Sequence, residues 1–204
     1  MLAATLMSSE FEMEFEMEFH NCREPDRNGD QDMICSGLQD ADRTQGEGIL
    51  LIRVADPEDA EAVSNVINAA FRKAESFLMD RDRIDLPTVR ELLRTGAFLV
   101  AERNKVVVGC VHVEMRGERS YLGLLSVHPQ GQMSGVGSKL MTAAEDYCAK
   151  AGSHFMDLRI VSVRKELPEF YHRRGYVETG TSPLTPGLQP KLPCHFVNLS
   201  KPLR

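Results

Sequence analysis

The chain has 204 residues, of which 42% are hydrophobic and 26% charged. That is enough apolar material for one well-buried domain with some chain to spare. No apolar run approaches the ~20 residues a membrane-spanning helix needs, and residues 1–9 lack the basic start of a secretory leader. An integral membrane or exported protein is therefore not expected. The net charge of −6 is unevenly placed: residues 1–48 hold twelve acids and three bases, while residues 49–204 hold eighteen and twenty-one. The division near Gly46, Glu47 and Gly48 separates an acidic tail from a nearly neutral body. The body has no Lys/Arg cluster beside aromatics, so nucleic acid is not an expected partner. Five scattered cysteines without a CxxC pair point away from disulfides and metal, and toward a reducing, cytoplasmic setting.

In the tail, Phe11 to Phe19 alternates Phe or Met with Glu, and residues 20–48 are polar and aperiodic. Composition predicts a disordered tail, with a partner-docking strand as the alternative reading of the repeat. The body opens with an apolar run from Ile49 to Val54. Asp56 and Pro57 then mark a helix start, followed by Ala60, Val63, Val66, Ile67, Ala70 and Phe71 at helical spacing. A second helix is expected over 87–94, closed by Gly96. Strands follow at 97–102 and 106–115 about a turn at Asn104 and Lys105, then at 120–127, ending before Pro129. A helix opens after Gly135 and Gly137, with Leu140, Ala143, Ala144 and Tyr147 on one face, and Gly152 ends it. A strand over 155–163, a short helix over 167–173 stopped by Gly175, and a final strand over 194–199 complete the pattern. The order is that of one mixed α/β sheet with helices on both faces.

The segment that carries chemistry is Gln132, Met133, Ser134, Gly135, Val136, Gly137 and Ser138, set between a strand and a helix. Glycines let backbone approach a ligand closely, and N–H groups at a helix N-terminus suit phosphate oxygens. The third glycine of a dinucleotide fingerprint is missing, and no Gly-Lys-Ser/Thr closes a P-loop.

With its flanks, Leu125 to Gly137 resembles the acetyl-CoA motif of the GNAT superfamily of N-acetyltransferases, Gln/Arg-x-x-Gly-x-Gly/Ala. About forty residues on, Tyr171 to Tyr176 resembles that superfamily's second signature, Tyr-x-x-x-Gly-aromatic. The resemblance covers residues 49–204 and implies the GNAT fold, a mixed, mostly antiparallel central sheet flanked by helices. It implies acetyl-CoA as co-substrate, with Leu125 and Val127 pairing through their backbone with pantetheine. Residues 132–138 would then hold the pyrophosphate, and Phe170 would pack on the pantetheine arm. Tyr171 resembles the general acid that protonates the leaving thiolate, and the Val127 N–H would polarise the thioester carbonyl.

No strong general base is evident. Asp157 is the weak candidate carried forward, with His112 and Glu114 as alternatives acting through water. Arg164 stands where many members of the resembled superfamily carry Asn and is expected in an exposed pair with Glu166 or Glu169, with a substrate carboxylate as the alternative partner. The segment Asp80 to Asp85, where the resemblance places the acceptor entrance, is expected to be a solvated loop, with selection of a charged substrate as the alternative. The expected activity is direct acetyl transfer to a primary amine, small rather than protein-borne, in a ternary complex of a monomer or homodimer. The alternatives are a peptide or protein N-acetyltransferase, which needs an open groove beside 181–193, and a non-catalytic acyl-CoA-binding module.

Overall fold

A computed structural model describes residues 49–131, 135–185 and 190–204. The acidic tail and its repeat lie outside the described residues, as do Gln132, Met133 and Ser134 of the glycine segment. Among the described residues, seven strands form one sheet in the order β1-β2-β3-β4-β5-β7-β6. The strands are β1 Leu50–Val54, β2 Ala97–Arg103, β3 Val106–Arg116, β4 Arg119–Val127, β5 Phe155–Val161, β6 Val177–Ser182 and β7 Phe196–Pro202. Every neighbouring pair is antiparallel except β4 and β5. The four helices are α1 Ala60–Ala74, α2 Leu86–Thr95, α3 Val136–Lys150 and α4 Leu167–Arg173.

The helical spacing of α1 buries Val63, Ile67, Ala70 and Phe71 against Phe98, Val100, Cys110 and Leu124 on one sheet face. On the other face, Leu140, Met141, Ala144 and Cys148 of α3 pack with Val111, Leu122, Leu125, Val127 and Leu158. Each fully buried Val, Leu, Ile, Met or Phe among them contributes about 1.5–3 kcal/mol. α3 lies especially close to β3 at Gly109, where an added Cβ would sit 3.0 Å from Leu140 and 3.1 Å from Val136.

Most boundaries follow the sequence pattern. Asn104 and Lys105 both take positive φ, 52° and 63°, as a tight hairpin turn demands. Asp56 opens a single 3-10 turn, Pro57–Asp59, ahead of α1. Asp59 then accepts from Arg53 at 2.6 Å, and Arg53 also reaches Glu102 at 2.9 Å, tying the start of α1 to β1 and β2. The final strand is shifted toward the C-terminus relative to the expected 194–199, because β7 fills the space between β5 and β6 along its whole length.

Candidate active site

β4 and β5 pair over only three residues, Arg119↔Phe155, Ser120↔Met156 and Tyr121↔Asp157. Beyond them the strands diverge, so the sheet opens into a fork toward the C-terminal ends of both. The fork begins where β4 carries an irregularity. Cys110 and His112 of β3 face Ser126 and Gly123, so two residues of β4 stand against one of β3. Leu124 absorbs the extra residue with φ 51°, a left-handed conformation that costs about 1–3 kcal/mol for a side chain of this kind. The bulge lets both Leu122 and Leu125 enter the same core despite their odd spacing.

β4 is followed by a 3-10 turn, Pro129–Gly131, and α3 begins at Val136. Gly135 holds φ 72° at its N-cap, and an added Cβ there would meet nothing within 4 Å. The first intrahelical bond runs from the Lys139 N–H to the Gly135 carbonyl at 3.1 Å. The N–H groups of Val136, Gly137 and Ser138 therefore belong to the unpaired first turn that favours anions. The C-terminal end of α4 reaches this turn: Arg174 donates to the Ser138 carbonyl at 2.6 Å and lies 5.3 Å over the Phe170 ring.

Phe170 and Tyr171 are buried in the same core as Leu125 and Val127. Tyr171 sits edge-on between Phe170, at 5.0 Å, and Tyr176, at 5.6 Å. Tyr176 is committed elsewhere: its hydroxyl donates to Glu145 at 3.0 Å, and burial and that carboxylate push its pKa well up.

The opposite face of the fork is bordered by the loop between α1 and α2. Asn68 organises it by accepting from the N–H groups of Arg83, 2.8 Å, and Ile84, 3.1 Å, while donating to the Ile84 carbonyl at 2.8 Å. The β6–β7 connection docks on the same loop. The Lys191 N–H donates to the Leu78 carbonyl at 2.8 Å, and its ammonium contacts Asp80 and the Ser76 carbonyl, 3.0 Å. Beneath lie Glu75, Arg83 and Arg164, all buried. Arg164 bonds Glu166 at 2.6 Å and Glu75 at 3.4 Å. Burial raises the Glu75 pKa above the usual carboxylate range, and the guanidinium groups of Arg83 and Arg164 offset this only partly.

Residues 81–188, more than half of the chain, match the family model described as an acetyltransferase (GNAT) domain. The chain belongs to the GNAT acetyltransferase family. Its fold and its enzyme class, N-acetyltransferase, are those the sequence signatures imply, and acetyl-CoA is the donor that goes with this membership. The chain is 29% identical, over 66% of its length and 84% of the relative's, to the L-methionine sulfoximine/L-methionine sulfone acetyltransferase of Salmonella typhimurium. Among solved structures it resembles yncA of Salmonella typhimurium, determined with acetyl-CoA, at TM-score 0.61 and 24% identity over 76% of this chain and 94% of that one. It also resembles the ribosomal-protein-alanine N-acetyltransferase of Brucella melitensis, at TM-score 0.62 and 21% identity over 75% and 99%. These two likenesses concern the fold.

Within this GNAT domain, Leu125, Val127, Gly135, Val136, Gly137, Ser138, Phe170 and Tyr171 gather around one side of the fork. Asp157 does not join them. It lies at the closed end, where Arg119 grips it through Nε at 2.6 Å and through a second guanidinium nitrogen. Partial burial opposes its ionisation, yet hydrogen bonds from Arg119 and Ser200 outweigh this and hold its pKa down. His112 is buried with its ring 4.8 Å from Phe98. Glu114 is occupied by Arg116 at 2.9 Å.

Two expectations are corrected. Arg164 is buried at 3% exposure, and its second carboxylate partner is Glu75 at the C-terminal cap of α1 rather than Glu169, which bonds Arg173. The 80–85 segment is not simply solvated, because Arg83 and Ile84 turn inward under the control of Asn68. Asn68 and Arg174 were missed as organising residues. A polar residue at an otherwise apolar helical position was the only signal for Asn68.

Proposed function

We propose that residues 49–204 form a catalytic domain that acetylates the primary amine of a small molecule. Transfer proceeds directly from acetyl-CoA within a ternary complex. The β4–β5 fork, set against the glycine-capped first turn of α3, is the observation that carries this reading. The backbone of Leu125 and Val127 takes the pantetheine arm as an added strand would, and Phe170 packs against it. The α3 turn, with the preceding Gln132, Met133 and Ser134, takes the pyrophosphate. The Val127 N–H polarises the thioester carbonyl, and the Tyr171 hydroxyl protonates the departing thiolate.

Burial pushes the thiol pKa values of Cys110, Cys148 and Cys194 up, which disfavours a thiolate nucleophile and supports direct attack. Unpaired buried thiols also support a cytoplasmic address. Asp157 is left out of the mechanism because its ion pair with Arg119 stabilises the carboxylate against taking a proton. An alkylammonium of pKa roughly 10.4 then loses its proton to solvent before attack, a cost of roughly 4–5 kcal/mol at pH 7. Turnover should accordingly climb with pH across the neutral range.

The small acceptor is favoured over a peptide because Lys191 fastens the β6–β7 connection to the α1–α2 loop, narrowing the groove a peptide needs. Thiol release from acetyl-CoA, measured over amino acids, polyamines, arylamines, aminoglycosides and short peptides, tests the reading. Turnover confined to peptides would overturn the small-molecule assignment. Acetyl-CoA binding without turnover on any class would favour a binding module. Tyr171→Phe keeps the ring packing and should lower kcat by roughly 100-fold or more with the melting temperature nearly unchanged. Unaltered kcat would remove Tyr171 from the mechanism.

A further inference from the structure

The closed end of the fork bears on the acceptor. Met156, Leu158 and Ile160 of β5 point into the α3 core, so alternation places Asp157 and Arg159 on the opposite face. Leu122 of β4 likewise points toward α3, which places Tyr121 and Gly123 with Arg159. Tyr121 is the last β4 residue paired with β5, and Arg159 stands two residues past its partner Asp157. Arg159 is thus at the crotch of the fork, on the face bordered by the α1–α2 loop. The next residue of β4 on that face, Gly123, adds no side chain before the bulge at Leu124.

Here the end of β3 together with β4, β5, β6 and β7 lines a cleft of about 380 Å³. Its charged lining is Arg116, Arg119 and Arg159 against one acid, Asp157. Arg119 already holds that acid, and Arg116 holds Glu114 just outside. The Arg159 guanidinium lies 4.8 Å over the Phe196 ring and 5.7 Å over Tyr121, an aromatic shelf that fixes its plane. Ser182 and Asn198, hydrogen-bonded to each other at 3.0 Å, add polar groups to the wall.

We infer that this cleft holds a carboxylate of the acceptor, with Arg159 as its principal donor, so that the substrates are amines that also carry an acid group. The inference rests on the amine acetyltransferase reading. A planar guanidinium pairs with a carboxylate through two parallel hydrogen bonds, and the positive excess of the lining favours an anion over a cation. Anchoring the acid at the crotch leaves the amine to meet the thioester carbonyl along the fork. A neutral or purely cationic amine lacks this anchor and meets a positive wall.

The test uses matched probes: L-methionine sulfone against its carboxamide, and 5-aminopentanoate against pentylamine. Rates of acetyl-CoA-dependent thiol release are measured, together with calorimetric binding of the two acids to protein saturated with CoA. The acids should be preferred in kcat/KM by roughly tenfold or more. Arg159→Gln should raise KM for the acids roughly 10- to 100-fold and shrink their preference over the acid-free partners, while KM for acetyl-CoA does not rise. Arg159→Lys, which keeps the charge and loses the fork geometry, should recover part of the loss. The parent comparison of acid with neutral partner needs no variant, so a folding defect cannot mask the result. Equal use of both members of each pair overturns the carboxylate site while amine acetylation stands. Acids that bind in an Arg159-dependent way without any turnover uphold the site and refute acetylation of these amines. Failure of both acids to bind or turn over also overturns it.

Discussion

His112 offers a quantitative check on the packing around the fork. Its side chain is only 5% exposed, and burial depresses its pKa from 6.5 to about 4, a hydrogen bond with the Leu92 backbone offsetting little of this. A group whose folded pKa is depressed contributes stability that is fully present above its unfolded value. That stability drains away as pH falls through the folded pKa. The window is therefore pH 6.5 down to about 4. A depression of about 2.5 pH units at 1.36 kcal/mol each makes the full contribution about 3 kcal/mol. Urea unfolding at intervals from pH 7 to 4 should show this loss in the parent. His112→Gln removes the titration while keeping a polar side chain of similar length. Its stability should fall by about 3 kcal/mol less than the parent's over the same window, whatever the remaining carboxylates do. Parallel curves for the two proteins, or a measured His112 pKa near 6.5, would refute the burial argument. The same shift bears on chemistry: a ring that resists protonation until about pH 4 is a poor acceptor for the proton of an alkylammonium.

Two further outcomes are expected from the site's own geometry. Gly135→Glu puts a side chain at φ 72° and a negative charge at the first turn of α3, so acetyl-CoA should no longer raise the melting temperature; a retained thermal shift would remove the phosphate cradle from this turn. Arg164→Met leaves Glu75 buried without one of its guanidinium partners and should cost about 3–5 kcal/mol in urea unfolding. Adding Glu75→Gln to that variant should restore part of the loss, and strict additivity of the two changes would show that the pair is not coupled.

Local pattern alone placed the elements on the α3 side of the fork. The glycines at 135 and 137, the i, i+3, i+4 spacing of α1 and α3, and the Asn104-Lys105 turn are encoded within a few residues of where they act, so their reading survived folding. The GNAT signatures likewise lie in short stretches beside the fork. The acceptor side is different, because its contacts join distant parts of the chain. Arg119 on β4 meets Asp157 on β5 and Ser200 on β7, Arg164 finds Glu75 at the C-terminal cap of α1, and Lys191 fastens on the α1–α2 loop. Periodicity says which face a side chain takes, but not which strand comes alongside it. The three-residue limit of β4–β5 pairing, the insertion of β7 between β5 and β6, and the bulge at Leu124 are settled only when the whole sheet assembles. Sequence by itself therefore determined the family and the glycine-capped start of α3. The tertiary structure decided which charges are buried, which carboxylate is spent in an ion pair, and which arginines line the cleft beside the fork, because each of those depends on strand neighbours that no local pattern names.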